Sequence, residues 1–415
     1  MCKSKDIINS KEEKPGLYYG YVILAACFFI MVVVFGAQIS FGVFFKPILT
    51  EFGWTRAETS GPFALCIILG GFLAIVSGRL SDRFGPKMVV SIGGLIIAAG
   101  YLLMSTITNL FQLYIYFGVL VAAGTSTMYV PLVSLIARWF TKRRGLMSGI
   151  GVAGIGFGIG VIPALASQLI VSFNWRTSLL ILGVATLVLL LVLAQLLKRM
   201  PPEIVSNSEG TIIESSTTYS NLEFSLKEAL KTRQFWMIFF TWSLYGIFFQ
   251  AGMVHIVPYA TDLGLSAVVA ATILTIIGLV GVFGRISLGF ISDKLGNKTT
   301  VFVSFLIIGL AYLGLSLISS IWMLYVFAVF FGALCGVGIL LIPTIAEYFG
   351  FKDLGAISGV IVFANSLGGA VSPPLAGAIF DMSGSYDIAF VCCSISGFAA
   401  GIIVWLLKPT SLIQR

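Results

Sequence analysis

Long apolar stretches separated by short polar ones run the length of this chain. Twelve of them fall at roughly 18–44, 61–80, 88–107, 111–137, 146–171, 177–197, 234–260, 267–291, 299–318, 322–346, 356–379 and 387–407. Each matches the ~20 residues that a helix needs to cross the hydrocarbon core of a bilayer. The longest polar interruption, Lys198 to Arg233, is rich in Ser, Thr and Glu and divides the spans six and six. Within it, Asn221 to Arg233 spaces Leu222, Leu226 and Leu230 at helical intervals, which predicts a short helix on the membrane surface. The expected organisation is a tail (1–17), a six-helix half (18–197), a linker with its surface helix (198–233), a second half (234–407) and a tail (408–415). The fold class is all-α: twelve transmembrane helices in two pseudo-symmetric six-helix halves.

The two halves echo one another. Gly78-Arg-Leu-Ser-Asp-Arg-Phe-Gly-Pro-Lys87 follows the second run, and Gly289-Phe-Ile-Ser-Asp-Lys-Leu-Gly-Asn-Lys298 follows the eighth, at an offset of 211 residues. A weaker echo pairs Ile136-Ala-Arg-Trp-Phe140 and Ser148-Gly149 with Ile345-Ala-Glu-Tyr-Phe349 and Ser358-Gly359. Duplicated six-helix halves set face to face are the construction of a transporter that rocks about a central site.

Composition sharpens the picture. Hydrophobic residues make up 58% and charged residues 10%, against about 25% charged in soluble domains, so the solvent of this chain is lipid. A net charge of +8 would suggest nucleic-acid binding in a soluble protein. Here the charges sit in loops between apolar runs, and no nucleic-acid partner is expected. With the N-terminus inside, only Lys46, Arg56 and Arg176 of the 25 Lys and Arg residues fall on the outer side, and only Arg285 lies within a span. The positive-inside rule then puts both termini in the cytoplasm of a multi-pass cell-membrane protein. All the cysteines but Cys2 lie in apolar runs, where they act as small hydrophobes. No metal cluster, cofactor motif, ATP site or catalytic constellation is legible, so an enzyme is not expected. The run Gly149-Ile-Gly-Val-Ala-Gly-Ile-Gly-Phe-Gly-Ile-Gly160 lacks the strand and the Lys-Ser ending of a phosphate loop, and reads as close helix packing.

The paired Gly-x-x-x-Asp-Arg/Lys-x-Gly-x-Lys loops resemble the signature loops of the major facilitator superfamily. Within it, Arg138-Trp-Phe-Thr-Lys-Arg-Arg-Gly-Leu-Met-Ser-Gly149 resembles the start of the fifth helix of the monocarboxylate transporters. Phe44-Phe-Lys46 and Gly284-Arg285 fit that branch and its oxalate/formate-antiporter relatives. The resemblance covers the whole chain and implies the major facilitator fold. It also implies that Asp82 and Asp293, with Arg83 and Lys294, latch the cytoplasmic side shut when the outer side is open. A carboxylate at such a place accepts hydrogen bonds from a helix N-terminus of the other half or pairs with an arginine. The same residues also read as tight basic turns that only set topology.

Arg285 is the one charge well inside a span. An arginine at membrane depth costs about 2.5–3.5 kcal/mol on insertion scales. Gly278, Gly281 and Gly289 share its helical face, which therefore meets other helices or a cavity and not lipid. Its planar fork suits a carboxylate. Alternatively it snorkels to the cytoplasmic surface, about seven residues or roughly 10 Å away. The resemblance favours the first role, because an arginine at this place binds the substrate carboxylate in that family. Departures from family patterns matter too. The aspartate one turn earlier is Gly281, the first-span lysine aligns with Ile39, and the second cation of the oxalate exchanger aligns near Ile361. One core cation suits a monoanion.

His255, the only histidine, shares a face of the seventh span with Asp262. An imidazole can carry a proton near neutral pH. His255 and Asp262 are therefore proton-coupling candidates, with a packing histidine and an outer-loop cap as the competing readings. Gln38, Tyr129 (with Thr125 and Ser126), Gly281 and Asn365 (in register with Ser358 and Ser372) are expected to line the substrate path, or to pack between helices. The expected function is proton-coupled symport of a small monocarboxylate such as L-lactate or pyruvate, by a monomer in the lipid bilayer. The alternative is exchange of organic anions.

Overall fold

The computed structural model describes residues 19–140, 144–198, 224–317, 320–350 and 353–408. The expected tails, Lys408 apart, and most of the expected linker lie outside the described residues. The described chain contains twelve helices long and apolar enough to cross a membrane. They are α1 (Tyr19–Phe52), α2 (Arg56–Phe84), α3 (Pro86–Met104), α4 (Leu110–Ile136), α5 (Arg144–Ser172), α6 (Trp175–Gln195), α7 (Arg233–Asp262), α8 (Ala267–Leu295), α9 (Asn297–Leu317), α10 (Ile321–Phe349), α11 (Leu354–Ser383) and α12 (Asp387–Trp405).

Local chemistry sets where these helices begin. Thr55 and Glu58 form a capping box at the start of α2, and Asn174, Thr232 and Ser266 cap α6, α7 and α8 with their side chains. The duplicated signature loop adopts one geometry twice. Gly85 and Gly296 take φ of 86° and 81°, and their amides bond the carbonyls of Ser81 and Ser292 at 2.9 and 2.8 Å. Only glycine enters that backbone region without strain.

Three helices depart from regularity. At Ser40 α1 breaks where the hydroxyl bonds the Gly36 carbonyl at 2.8 Å, and the helix then continues to Phe52, beyond the expected end at 44. A π-helical stretch, Tyr114–Val121, interrupts α4, and a turn at Thr127 and Met128 follows. In α10 a 3-10 turn, Gly336–Leu340, occupies the corresponding place of the second half. Irregular backbone at membrane depth persists where protein or a cavity surrounds it.

The expected surface helix is shorter than its periodicity suggests. Residues 221–223 lie outside the described residues, and from Phe224 to Arg233 a helix of four residues, Leu226–Ala229, precedes α7, opened by a capping box of Ser225 and Glu228. Thr232 already caps α7, so the apolar spacing on either side belongs to separate elements. The Phe224 amide bonds the Phe349 carbonyl and the Leu226 amide bonds Asp353, which fastens this segment to the second half.

Take the near face as the side on which α1 starts and α12 ends. The halves touch through α2 with α11, α5 with α8, and the outer part of α1 with α7. Glycines make this possible. A Cβ on Gly154 or Gly158 would overlap the carbonyls of Phe28 or Val32 in α1, and one on Gly278 would overlap the backbone of Gly156 and Gly160. One side of the α5 glycine run thus packs on α1 and the other crosses to α8, as close helix packing requires. Toward the near face, among the described residues, no side-chain hydrogen bond or ion pair joins the halves. Gly149, Gly289, Gly355 and Gly359, at the near ends of α5, α8 and α11, have open space where a Cβ would stand. Among the described residues, the side-chain hydrogen bonds that join the halves lie at the far ends.

Candidate substrate site

Arg285 stands where the halves begin to part. Because α8 continues to Leu295, Arg285 is roughly 15 Å along the helix from its near end. Nη1 donates to the Gly281 carbonyl one turn back at 3.1 Å. A Cβ on Gly156 would lie 2.6 Å from Nη1, and one on Gly336 would lie 2.6 Å from the arginine Cγ. The side chain is threaded between α5 of one half and the irregular part of α10 in the other. It is half-buried, and among the described residues no carboxylate pairs with it. A guanidinium carries five N–H donors, so most of this one's donors remain open to a ligand.

The hydroxyls of Tyr129 and Tyr245 are within electrostatic reach of Arg285. Tyr245 donates to the Cys335 carbonyl at 2.8 Å and is spent. Tyr129 follows the break in α4 and packs edge-on against Phe35, yet 45% of its surface is exposed.

Asn365 lies on α11 where that helix crowds α7. A Cβ on Gly246 would overlap the Asn365 carbonyl, and one on Gly368 would overlap that of Ser243. The amide oxygens of Asn365 and Gln250 are buried without a donor, as are the hydroxyls of Ser358 and Ser372. Buried acceptors left open are uncommon and mark places completed by water or ligand. Gln38 is occupied elsewhere: it is buried and donates to Cys66 Sγ at 3.4 Å. Gly281 accepts from Arg285 and packs against the Gly332 carbonyl of α10. Thr125 and Ser126 bond the carbonyls of Ala122 and Ala123 within their own helix.

His255 and Asp262 belong to a second cluster, at the far ends of the helices. Asp262 accepts from Lys46 Nζ at 3.0 Å and from Arg56 Nη2 at 2.6 Å, both from the other half. Arg56 Nη1 donates to Tyr386 Oη at 2.6 Å, and its guanidinium lies 3.7 Å from the centre of the Phe380 ring. Asp381 caps the start of α2, accepting from the amides of Arg56 and Ala57 at 3.0 and 2.9 Å. That places a carboxylate at a positive helix end. Next to them His255 Nε2 and Nδ1 contact the Pro373 carbonyl at 2.8 Å and Tyr386 Oη at 2.9 Å. A carbonyl can only accept, so Nε2 carries hydrogen. Arginine can only donate, so the Tyr386 oxygen accepts from Arg56 and its own hydrogen goes to Nδ1. His255 is fully buried, with both nitrogens used.

Together these residues bond the two halves to one another at the far ends of the helices. Sequence reasoning found Asp262 and His255 but not Arg56, Lys46, Asp381 or Tyr386. The available signal was that Lys46 and Arg56 break the Lys/Arg bias. Of the near-face residues, Asp293 and Lys294 are exposed without an ion pair among the described residues, and Arg83 rests over Phe84. The side chain of Asp82 lies outside the described residues.

Comparison with known proteins agrees with this architecture. The family profile of the Major Facilitator Superfamily matches residues 27–344 and 293–414. Monocarboxylate transporter 12 of Mus musculus is 29% identical, over 98% of this chain and 89% of that protein. Monocarboxylate transporter 7 of Homo sapiens is 25% identical over 97% and 89%, and monocarboxylate transporter 13 of Bos taurus is 27% identical over 95% and 91%. Among solved structures, a bacterial homologue of the human lysosomal transporter Spinster, inward-facing and unoccupied, superposes with a TM-score of 0.70. It is 17% identical and covers 94% of this chain and 96% of that one.

Proposed function

Since the chain belongs to the Major Facilitator Superfamily, we propose that it carries a small organic monoanion, of the kind of L-lactate or pyruvate, together with a proton by alternating access. The observation that carries this reading is Arg285: a guanidinium deep in the bundle, at the apex of the opening, with donors to spare and no carboxylate among the described residues. A bidentate fork suits a planar carboxylate. One cation suits one negative charge, which favours a monoanion over a dianion.

The near face is taken as cytoplasmic from the Lys/Arg bias, the membrane as the cell membrane and the working unit as a monomer. In the cycle proposed, the halves part at the outer gate, and Lys46 and Arg56 withdraw from Asp262. His255 and Asp262 then meet the outside and take the proton. The anion enters past Tyr129 and Asn365 to Arg285, and Gly281 leaves room beside the guanidinium. Closure restores the Asp262 pairs and opens the near side. Asp82, Arg83, Asp293 and Lys294 hold the near side shut in the opposite state. The similarity to monocarboxylate transporters supports the substrate class.

The test is uptake of labelled L-lactate into proteoliposomes holding the purified protein without internal anion, with and without an inward proton gradient. Accumulation that requires the gradient supports symport. Uptake that requires preloading with an anion replaces symport by exchange, and absence of uptake under both conditions removes lactate as substrate.

A further inference from the structure

Between α2 and α3 the first half carries a cleft outside the transport path. The two helices meet at the Gly85 turn and part from there, with α4 as the floor. Ser77 Oγ donates to the Ser126 carbonyl across that floor at 2.7 Å. The cleft holds about 400 Å³, within the ~300–1,000 Å³ of ligand-binding clefts. Leu73, Val76, Leu80 and Phe84 line one wall, and Met88 and Ile92 the other. All of these but Leu73 are exposed, so the mouth opens toward hydrocarbon. The hydroxyls of Ser77, Ser126 and Thr127 already bond backbone carbonyls, and nothing in the cleft calls for a polar occupant.

Its closed end is different. Arg83 and Lys87 stand exposed beside the turn on the near face, and among the described residues neither pairs with a carboxylate. Arg83 lies 5.2 Å from the centre of the Phe84 ring, at the rim of the cleft. The duplicated loop offers an internal comparison. Lys298, the counterpart of Lys87, donates to the Leu407 carbonyl at 2.6 Å and lies over Trp405. The second half uses its cation internally, whereas Lys87 of the first half has no such partner among the described residues and stands beside an apolar cleft.

We propose that this cleft binds an anionic phospholipid of the near-face leaflet, with an acyl chain between α2 and α3 and the phosphate against Arg83 and Lys87. The apolar walls supply affinity for the chain, and the two cations select the headgroup. Two basic residues at a membrane surface confer a preference of roughly thirtyfold over a neutral headgroup.

The experiment is native mass spectrometry of the full chain released from nanodiscs of phosphatidylcholine mixed with phosphatidylglycerol. The wild type is expected to retain phosphatidylglycerol over phosphatidylcholine. The double variant Arg83→Gln with Lys87→Gln is expected to lose that preference while still retaining lipid. Ala123→Phe and, separately, Leu80→Trp fill the cleft and are expected to lose both lipids; either one suffices if the other fails to fold. Equal retention of the two lipids by the wild type, or an unchanged preference in the double charge variant, overturns the proposal. Unchanged retention in a folded cleft-filling variant places the lipid elsewhere and overturns it equally.

Discussion

A guanidinium that gives one N–H to its own helix and meets no carboxylate keeps a planar fork for a ligand. Lysine offers a point charge on a flexible stem in place of that fork. Arg285→Lys should therefore lower the initial rate of uptake by roughly tenfold or more, the worth of a charge-assisted bond, and Arg285→Gln should abolish it. Thermal unfolding of both variants should stay near wild type, because no buried carboxylate is stranded; a large fall in Tm would make Arg285 structural. Tyr386 invites a second test. It is the one hydroxyl that takes a bond from Arg56 in one half and gives one to His255 in the other. Tyr386→Phe keeps the ring but removes both bonds. The far ends should part more often, read as faster labelling of a cysteine placed at the far end of α2; unchanged labelling would mean that the hydroxyl does not hold the far ends together.

At the scale of the element, α5 is built to be squeezed from two sides. Its glycines present backbone to α1 on one face and to α8 on the other, which explains why twelve residues hold so many of them. Overpacking costs about 1–3 kcal/mol in well-packed cores. Gly158→Val, which drives a side chain into the Val32 carbonyl, should lower Tm by several degrees, whereas Gly149→Ala, facing open space, should leave it unchanged. Equal effects would show that glycine acts through helix flexibility and not through contact. The glycine run and its packing role were legible in sequence, because small residues at helical spacing leave few alternatives in lipid. Which face met which partner was not, since both faces are equally small.

Over the whole molecule, the side-chain bonds between the halves lie, among the described residues, at the far ends. Asp262 is central to this, since among the described residues it alone pairs with two cations of the other half. Asp262→Asn should shift the population toward the far-open state by roughly tenfold or more, measured as the distance distribution between spin labels on the far ends of α2 and α11. Arg56→Gln should act in the same direction. The double variant should fall short of the sum, because coupled partners share one interaction. Additive effects would separate the two residues and dissolve the cluster as a unit.

The number of spans, the duplication and the position of the core cation were all written in the chain. Each rests on a cost that lipid imposes locally: apolar length, a charge inside an apolar run, a repeated turn that needs glycine. Only the tertiary structure decided the far-end cluster. Arg56 is 206 residues from Asp262, 325 from Asp381 and 330 from Tyr386, and no local period links residues so far apart. Each looks like an ordinary loop or helix-end residue until the halves are docked. The direction of the Arg285 side chain was settled in the same way, because it bonds the Gly281 carbonyl one turn back and lies between Gly156 of α5 and Gly336 of α10.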